Sequence, residues 1–234
     1  MTKRVIVNVL TAFNLLCGVG SIALAFEGYF IYAGLLLFLG SIFDFFDGFL
    51  ARLLKAQSAF GREFDALADM VSFGIAPAAL LYNITSSLPV FGIVYTGIQI
   101  VFILYPVAAA IRLAMFNTKQ RHDNQFSGLP SPAAGLWVAS LPIMAIFAEA
   151  ENLQLITVLF ETPLFYVAAS LILSILMILP VKMISMKIEN YALSANVARY
   201  ILLLISVIIL ILFPLTGLFF IVPLYIILSL TAKY

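Results

Sequence analysis

Four aspartates lie inside apolar stretches of this chain: Asp44, Asp47, Asp65 and Asp69. A carboxylate within a membrane costs about 3 kcal/mol even on lenient insertion scales, and four cannot all stay ionised unless positive charge is supplied. Hard divalent cations prefer oxygen ligands of this kind. The residues therefore predict a site for Mg²⁺ or Mn²⁺, with Ca²⁺ as an alternative. Two ions per site would balance the charge and leave coordination positions for a phosphate-bearing substrate.

Helical spacing places the acids on two stripes, because positions three, four and seven apart share a helix face. The first stripe is formed by Asp44, Asp47, Gly48 and Ala51, and the second by Gly61, Asp65, Asp69 and Ser72. A short hairpin joins the two helices, so the stripes can face each other, and the small residues leave room for a ligand. A single such aspartate is often only a helix contact, whereas four on facing stripes favour a site.

The elements that carry these stripes belong to a membrane protein. Of the 234 residues 64% are hydrophobic and 10% are charged, whereas a soluble domain carries about a quarter charged residues. The single Cys17 excludes an internal disulfide, and the single His122 excludes a multi-histidine metal site. Eight stretches are apolar enough to cross a bilayer: 5–26, 29–54, 62–84, 90–117, 130–149, 156–180, 198–213 and 215–231. The last two are short and could instead form one long kinked segment.

The basic residues indicate the orientation, since cytoplasmic loops of membrane proteins are rich in Lys and Arg. With the N-terminus in the cytoplasm, all 12 Lys and Arg lie on the cytoplasmic side, and the opposite loops at 83–87 and 149–152 carry none. We predict an all-α polytopic bundle of about eight transmembrane helices with a cytoplasmic N-terminus. The acidic pocket would lie two to three helical turns below the cytoplasmic surface. That depth suits an amphiphilic substrate, whereas an ion carrier holds its site nearer the bilayer midplane.

The order and spacing of the acids resemble a known signature. The run is Asp44-x2-Asp47-Gly48-x2-Ala51-Arg52-x8-Gly61-x3-Asp65-x3-Asp69, and it matches without a gap that of the CDP-alcohol phosphatidyltransferase family. The resemblance implies a six-helix core at residues 1–180, a homodimer and two metal ions per site, and residues 181–234 then form an extension with two further helices. It also implies transfer of a phosphatidyl group from a CDP-linked lipid to an alcohol, with release of CMP. The enzyme would lie in the cytoplasmic (inner) membrane, with its active site facing the cytoplasm.

The resemblance also implies a role for each signature residue. Asp44, Asp47 and Asp65 would ligate the metals, and Asp69 would act as the base and touch a metal as well. The other signature residues would contact the cytidine diphosphate, with Gly48, Ala51 and Gly61 as the surface beneath it and Arg52 as a phosphate contact.

Three further segments resemble those of family members that use L-serine as the acceptor: 70–77, 112–117 and 126–134. The expected partners are therefore CDP-diacylglycerol, L-serine and membrane lipid, with no nucleic acid. Ser72, Arg112 and Ser131 are the candidate substrate contacts in these segments, although Arg112 could equally snorkel to the interface. Met115 stands where that subgroup usually has a second basic residue.

Two alternatives remain open on the sequence. Glycerol 3-phosphate or an inositol phosphate could be the acceptor, but a phosphorylated acceptor would favour more cations near the site than Arg52, Arg62 and Arg112 supply. A cation or proton-coupled transporter could also use an acidic cluster, and it would release no CMP from CDP-diacylglycerol.

Overall fold

The computed structural model describes residues 2–88, 93–119, 128–148, 150–184 and 193–231. These ranges are helical apart from short connections, which confirms the all-α prediction. The helices are α1 Thr2–Phe26, α2 Phe30–Leu53, α3 Ala59–Asp69, α4 Ala76–Ser86, α5 Ile93–Lys119, α6 Ser131–Phe147, α7 Gln154–Phe160, α8 Pro163–Ile178, α9 Leu193–Leu212 and α10 Gly217–Thr231. A π-helical segment, Met70–Ile75, joins α3 to α4 without a break.

Three of the described helices are long and apolar enough to cross a membrane: Lys3–Phe26, Phe30–Leu53 and the continuous Ala59–Ser86. The described apolar parts of α5, α6, α8, α9 and α10 are shorter, at 10–17 residues each. An integral membrane protein is therefore confirmed. The count of eight crossings and the cytoplasmic N-terminus stay predictions.

The stretch 156–180 differs from the single span that its composition predicts. Helix α7 ends at Phe160, Thr162 is extended, and α8 starts at Pro163. Proline restricts the residue before it to extended backbone and is itself favoured at the first helical turn. The helix break therefore follows from Pro163, although the hydropathy of the stretch does not predict it.

Helix α1 packs against all the elements around the four aspartates. Its largest contact is with α2, and it also packs on α3, the π-helical segment and α4. Its buried face includes three polar residues, Thr11, Asn14 and Ser21, each at most 2% exposed. Elsewhere α2 packs on α6, α5 packs on α8, and α9 packs on α10, which in turn packs on α6.

Glycines allow several of these helices to approach closely. A Cβ at Gly18 of α1 would lie 2.9 Å from the Cα of Ser72, and one at Gly34 of α2 would collide with the carbonyl oxygen of Ala139 on α6. Small residues at helix interfaces are the usual device for close packing in membranes. Gly18 in this way brings α1 against the segment that follows Asp69.

Candidate metal centre and active site

Three of the four predicted acids meet at one point between α2 and α3. Asp44, Asp47 and Asp65 each offer a carboxylate oxygen, and these oxygens all lie within 4.8 Å of one another. Asp47 is 2% exposed and the other two are partly buried. The two stripes therefore face each other, as their spacing predicts. We call Asp44, Asp47 and Asp65 the aspartate trio.

The donor set of the trio fits a divalent cation. Clustered carboxylates are the ligands that hard cations prefer. In addition, the Oδ1 atom of Asp65 is buried and has no hydrogen-bond partner within the described part of the chain. An unsatisfied carboxylate oxygen inside a protein is costly, and a bound cation would satisfy it. The trio could thus hold a metal ion.

Asp69 is not part of the trio. Its Oδ1 accepts a hydrogen bond of 3.2 Å from Nδ2 of Asn14 on α1. Helix α1 reaches the trio as well, because Oγ1 of Thr11 donates a 2.6 Å hydrogen bond to Oδ2 of Asp47. Sequence reasoning gave Thr11 and Asn14 no role. The signal available for finding them was a row of polar residues on one face of α1, namely Asn8, Thr11, Asn14 and Ser21.

The open side of the site lies at the end of α2. A Cβ at Gly48 would meet nothing nearer than Nη2 of Arg52, at 4.0 Å. Arg52 is exposed in the last turn of α2, and Ala51 beside it is partly buried. Unlike Gly18 and Gly34, Gly48 therefore has free space beside it, as a surface for a ligand requires. The nucleotide contacts themselves stay predictions.

Helix α3 is positioned by a cap. The Oγ of Ser58 accepts a 3.0 Å hydrogen bond from the backbone N–H of Gly61, which satisfies one of the free amides at the start of the helix. A Cβ at Gly61 would lie 3.4 Å from Oδ1 of Asn8 on α1. Gly61 is thus close to α1 as well as to the predicted nucleotide surface.

The three other predicted substrate contacts, Ser72, Ser131 and Arg112, are all buried, but they have different neighbours. Ser72 has no exposed surface and donates a 2.9 Å hydrogen bond to the carbonyl oxygen of Asn14, so it lies behind the acids. Ser131 is 2% exposed at the start of α6. Arg112 is 5% exposed, so its side chain is covered by other parts of the protein. Its guanidinium lies 5.5 Å from the ring centre of Phe116, and its Nε has no partner within the described residues.

An apolar cavity of about 290 Å³ lies elsewhere, between the α1–α2 turn, α4, α6 and α8. Its lining includes Tyr29, Tyr32, Pro142 and Tyr166, and none of the predicted site residues. His122 lies outside the described residues.

Comparison with known proteins decides the family. The model of the family described as CDP-alcohol phosphatidyltransferase matches residues 4–167. The chain belongs to this family. The prediction of a transferase of this kind, made from the spacing of the aspartates, is confirmed.

Several curated proteins are similar to this member of the family. The CDP-diacylglycerol–serine O-phosphatidyltransferase of Bacillus subtilis is 37% identical over 133 residues, which are 56% of this chain and 72% of that protein. The protein of the same name from Mycobacterium leprae is 36% identical over 146 residues, 59% of this chain and 46% of that protein. The archaetidylserine synthase of Methanothermobacter thermautotrophicus is 31% identical over 144 residues, 61% of this chain and 59% of that protein. The match thus spans less than two thirds of the length of the latter two relatives.

Proposed function

We propose that the protein transfers the phosphatidyl group of CDP-diacylglycerol to the hydroxyl of L-serine, giving phosphatidylserine and CMP. The observation that carries this proposal is the convergence of the aspartate trio beside the open face at Gly48. A site for a cation and a diphosphate is what transfer from a CDP-linked lipid requires. The names of the similar proteins support serine as the acceptor.

The trio would hold one or two divalent cations, Mg²⁺ or Mn²⁺. A cation bound there would offset the negative charge of the diphosphate and of the departing CMP. Gly48 has no side chain to block the nucleotide, and the exposed guanidinium of Arg52 on the same face would contact a phosphate.

Asp69 would act as the general base. Its carboxylate would take the proton of the serine hydroxyl while the serine oxygen attacks the phosphorus joined to diacylglycerol, and CMP would leave with the electrons of the broken P–O bond. Neither aspartate stripe contains a Cys or His that could form a covalent intermediate. Transfer is therefore direct, and the kinetics should be sequential rather than ping-pong.

The buried Arg112 would contact an anionic group of a substrate, either a phosphate or the serine carboxylate. Its low exposure, and the lack of a partner for Nε in the part of the chain that the structure describes, support such a contact, because a buried cation needs an anion or acceptor. The site would face the cytoplasm, with the acyl chains remaining in the inner membrane, and the enzyme would be a homodimer with a core at residues 1–180.

The decisive experiment uses the purified protein in detergent with CDP-diacylglycerol, Mg²⁺ or Mn²⁺, and one acceptor at a time. We expect CMP and phosphatidylserine with L-serine, little product with glycerol 3-phosphate or an inositol phosphate, and no turnover after chelation of the metal. Turnover of a phosphorylated acceptor with none of serine would overturn the acceptor. Absence of CMP with every acceptor would favour the transporter.

A further inference from the structure

We propose that α1, which carries no signature aspartate, positions two of the four acids for different tasks: Asn14 holds Asp69 for proton transfer, and Thr11 holds Asp47 within the metal-binding trio. The inference rests on the proposed function, because it assigns the two acids to two steps of one reaction. Asn14 and Thr11 are positioning residues that act through the aspartates.

Asn14 is fixed from both sides. Its side chain has no exposed surface, and its backbone carbonyl oxygen accepts the 2.9 Å hydrogen bond from Oγ of Ser72. Ser72 lies close to Asp69 in sequence, so α1 is attached to the same turn that carries the acid. On the opposite side, a Cβ at Gly40 of α2 would lie 3.2 Å from Oδ1 of Asn14. Oδ1 itself has no hydrogen-bond partner within the described residues, so burial and the bond to Asp69 hold the amide in place.

The close approach of α1 to this turn depends on Gly18. A Cβ there would lie 2.5 Å from Oγ of Ser72 and 2.9 Å from its Cα. Any larger residue would move the backbone of the π-helical segment away from α1. The contact between Asn14 and Asp69 would lengthen as a result.

The Asn14 amide leaves Asp69 with one oxygen for chemistry. Nδ2 donates to Oδ1 at 3.2 Å, and Oδ2 has no hydrogen bond within the described residues. Asp69 also lies outside the set of acids whose oxygens come within 4.8 Å of one another. An acid with one oxygen fixed by a neutral donor can use its other oxygen to accept the proton of an alcohol. Preorganisation of a base in this way raises the rate because fewer orientations must be searched.

Thr11 acts on the trio instead. Its side chain is 2% exposed, and its hydroxyl donates to Oδ2 of Asp47 at 2.6 Å, shorter than its 3.3 Å approach to the Val7 carbonyl. A hydroxyl has one proton to donate, so the shorter contact is the donated bond. The bond fixes the direction of the Asp47 carboxylate. Partners behind a metal ligand typically change metal affinity about 10- to 100-fold when they are removed.

The test compares Asn14→Ala with Thr11→Val in two Mn²⁺ titrations: direct binding of Mn²⁺ to the protein, followed by the EPR signal of free Mn²⁺, and CMP release at saturating CDP-diacylglycerol and serine. For Asn14→Ala we expect kcat to fall about 10- to 100-fold, with the half-saturating Mn²⁺ concentration within about twofold of wild type. For Thr11→Val we expect that concentration to rise about tenfold, with kcat at saturating Mn²⁺ largely kept. Ser21→Ala is the matched control, because Ser21 is a buried polar residue on the same helix face whose Oγ has no hydrogen-bond partner among the described residues. It should change neither value.

If Asn14→Ala does not fold, Ser72→Ala serves in its place, since it removes only the hydroxyl that holds the Asn14 carbonyl. It should lower kcat in the same direction by a smaller factor. Wild-type kcat in both Asn14→Ala and Ser72→Ala, or the same combined change in Asn14→Ala and Thr11→Val, would overturn the inference. A wild-type enzyme that uses another acceptor would refute only the proposed function, because the same comparison can then be made with that acceptor.

Discussion

The region of α1–α4 that carries the aspartates and the C-terminal pair α9–α10 differ in what their polar groups contact. In the first region polar side chains meet other side chains between helices, as Thr11 meets Asp47 and Asn14 meets Asp69. In the second region the bonds hold a chain connection against a helix start: the carboxylate of Glu151, which precedes α7, accepts a 3.0 Å bond from the N–H of Leu215 and another from the Thr216 hydroxyl, just before α10. Free amides at helix starts must be satisfied somewhere, so the second pattern is explained by folding alone. The first is not, because apolar residues would stabilise those interfaces without burying charge.

The glycines of α2 show the same division. Gly34 lies against the backbone of α6, where a side chain has no room, whereas Gly48 has open space beside it. Packing accounts for the first glycine and a ligand surface for the second.

Asp44→Asn should have the largest effect, because it removes a negative charge from the trio. We expect CMP release to fall below detection, together with loss of metal and CDP-diacylglycerol binding. The measurement is turnover and lipid-nucleotide binding in one Mn²⁺ titration. Activity restored by excess Mn²⁺ would mean that two carboxylates suffice, and it would weaken the distinction between the two regions.

Asp69→Asn should also abolish turnover, but for another reason. Loss of a general base lowers the rate by about 100- to 10,000-fold, while binding of CDP-diacylglycerol should largely survive because the trio is intact. Binding by the catalytically dead variant is the informative result. Near-normal turnover in a folded Asp69→Asn protein would remove Asp69 from the role of base.

Gly48→Leu should block the reaction and leave the fold intact, since leucine suits the bilayer but fills the open surface. Gly34→Leu is the matched comparison on the same helix, and its side chain would collide with the Ala139 backbone, so it should lower the yield of folded protein. Folded yield in detergent and CDP-diacylglycerol binding separate the two. Gly48→Leu protein that still binds the nucleotide would show that this glycine is not part of the ligand surface.

Helical periodicity was sufficient to predict that the two acidic stripes face each other. Asp44 and Asp47 are three residues apart and therefore share one helix face. Because only a short hairpin separates them from the second stripe, the two acidic faces pack against each other. The periodicity of α1 could not show which neighbour its polar face meets, because that depends on how α1 packs against α3. For this reason the sequence alone assigns no contact to Thr11 or Asn14.

Ser72 illustrates a different limit. It continues the stripe of Asp69, as predicted, but its surface is covered by α1 because Gly18 allows a close approach. Pattern alone gives the face of a residue, and the neighbouring helix decides whether that face is open to a substrate. In the proposed mechanism Ser72 therefore supports Asn14 and does not contact the substrate.

Glu151→Gln should have the smallest effect and tests the other side of the comparison. Glutamine keeps one acceptor oxygen but loses the charge, so the bonds to Leu215 and Thr216 weaken, and we expect a loss of about 1 kcal/mol in stability. Glu161→Gln is the control, because Glu161 is exposed at the end of α7. Thermal unfolding in detergent should show a lower midpoint for the first variant only, and CMP release at a temperature where both are folded should match wild type.

A fall in kcat of Glu151→Gln without loss of stability would show that the attachment of α10 influences the aspartates. The last two helices would then belong to the catalytic unit, although the family match ends at residue 167.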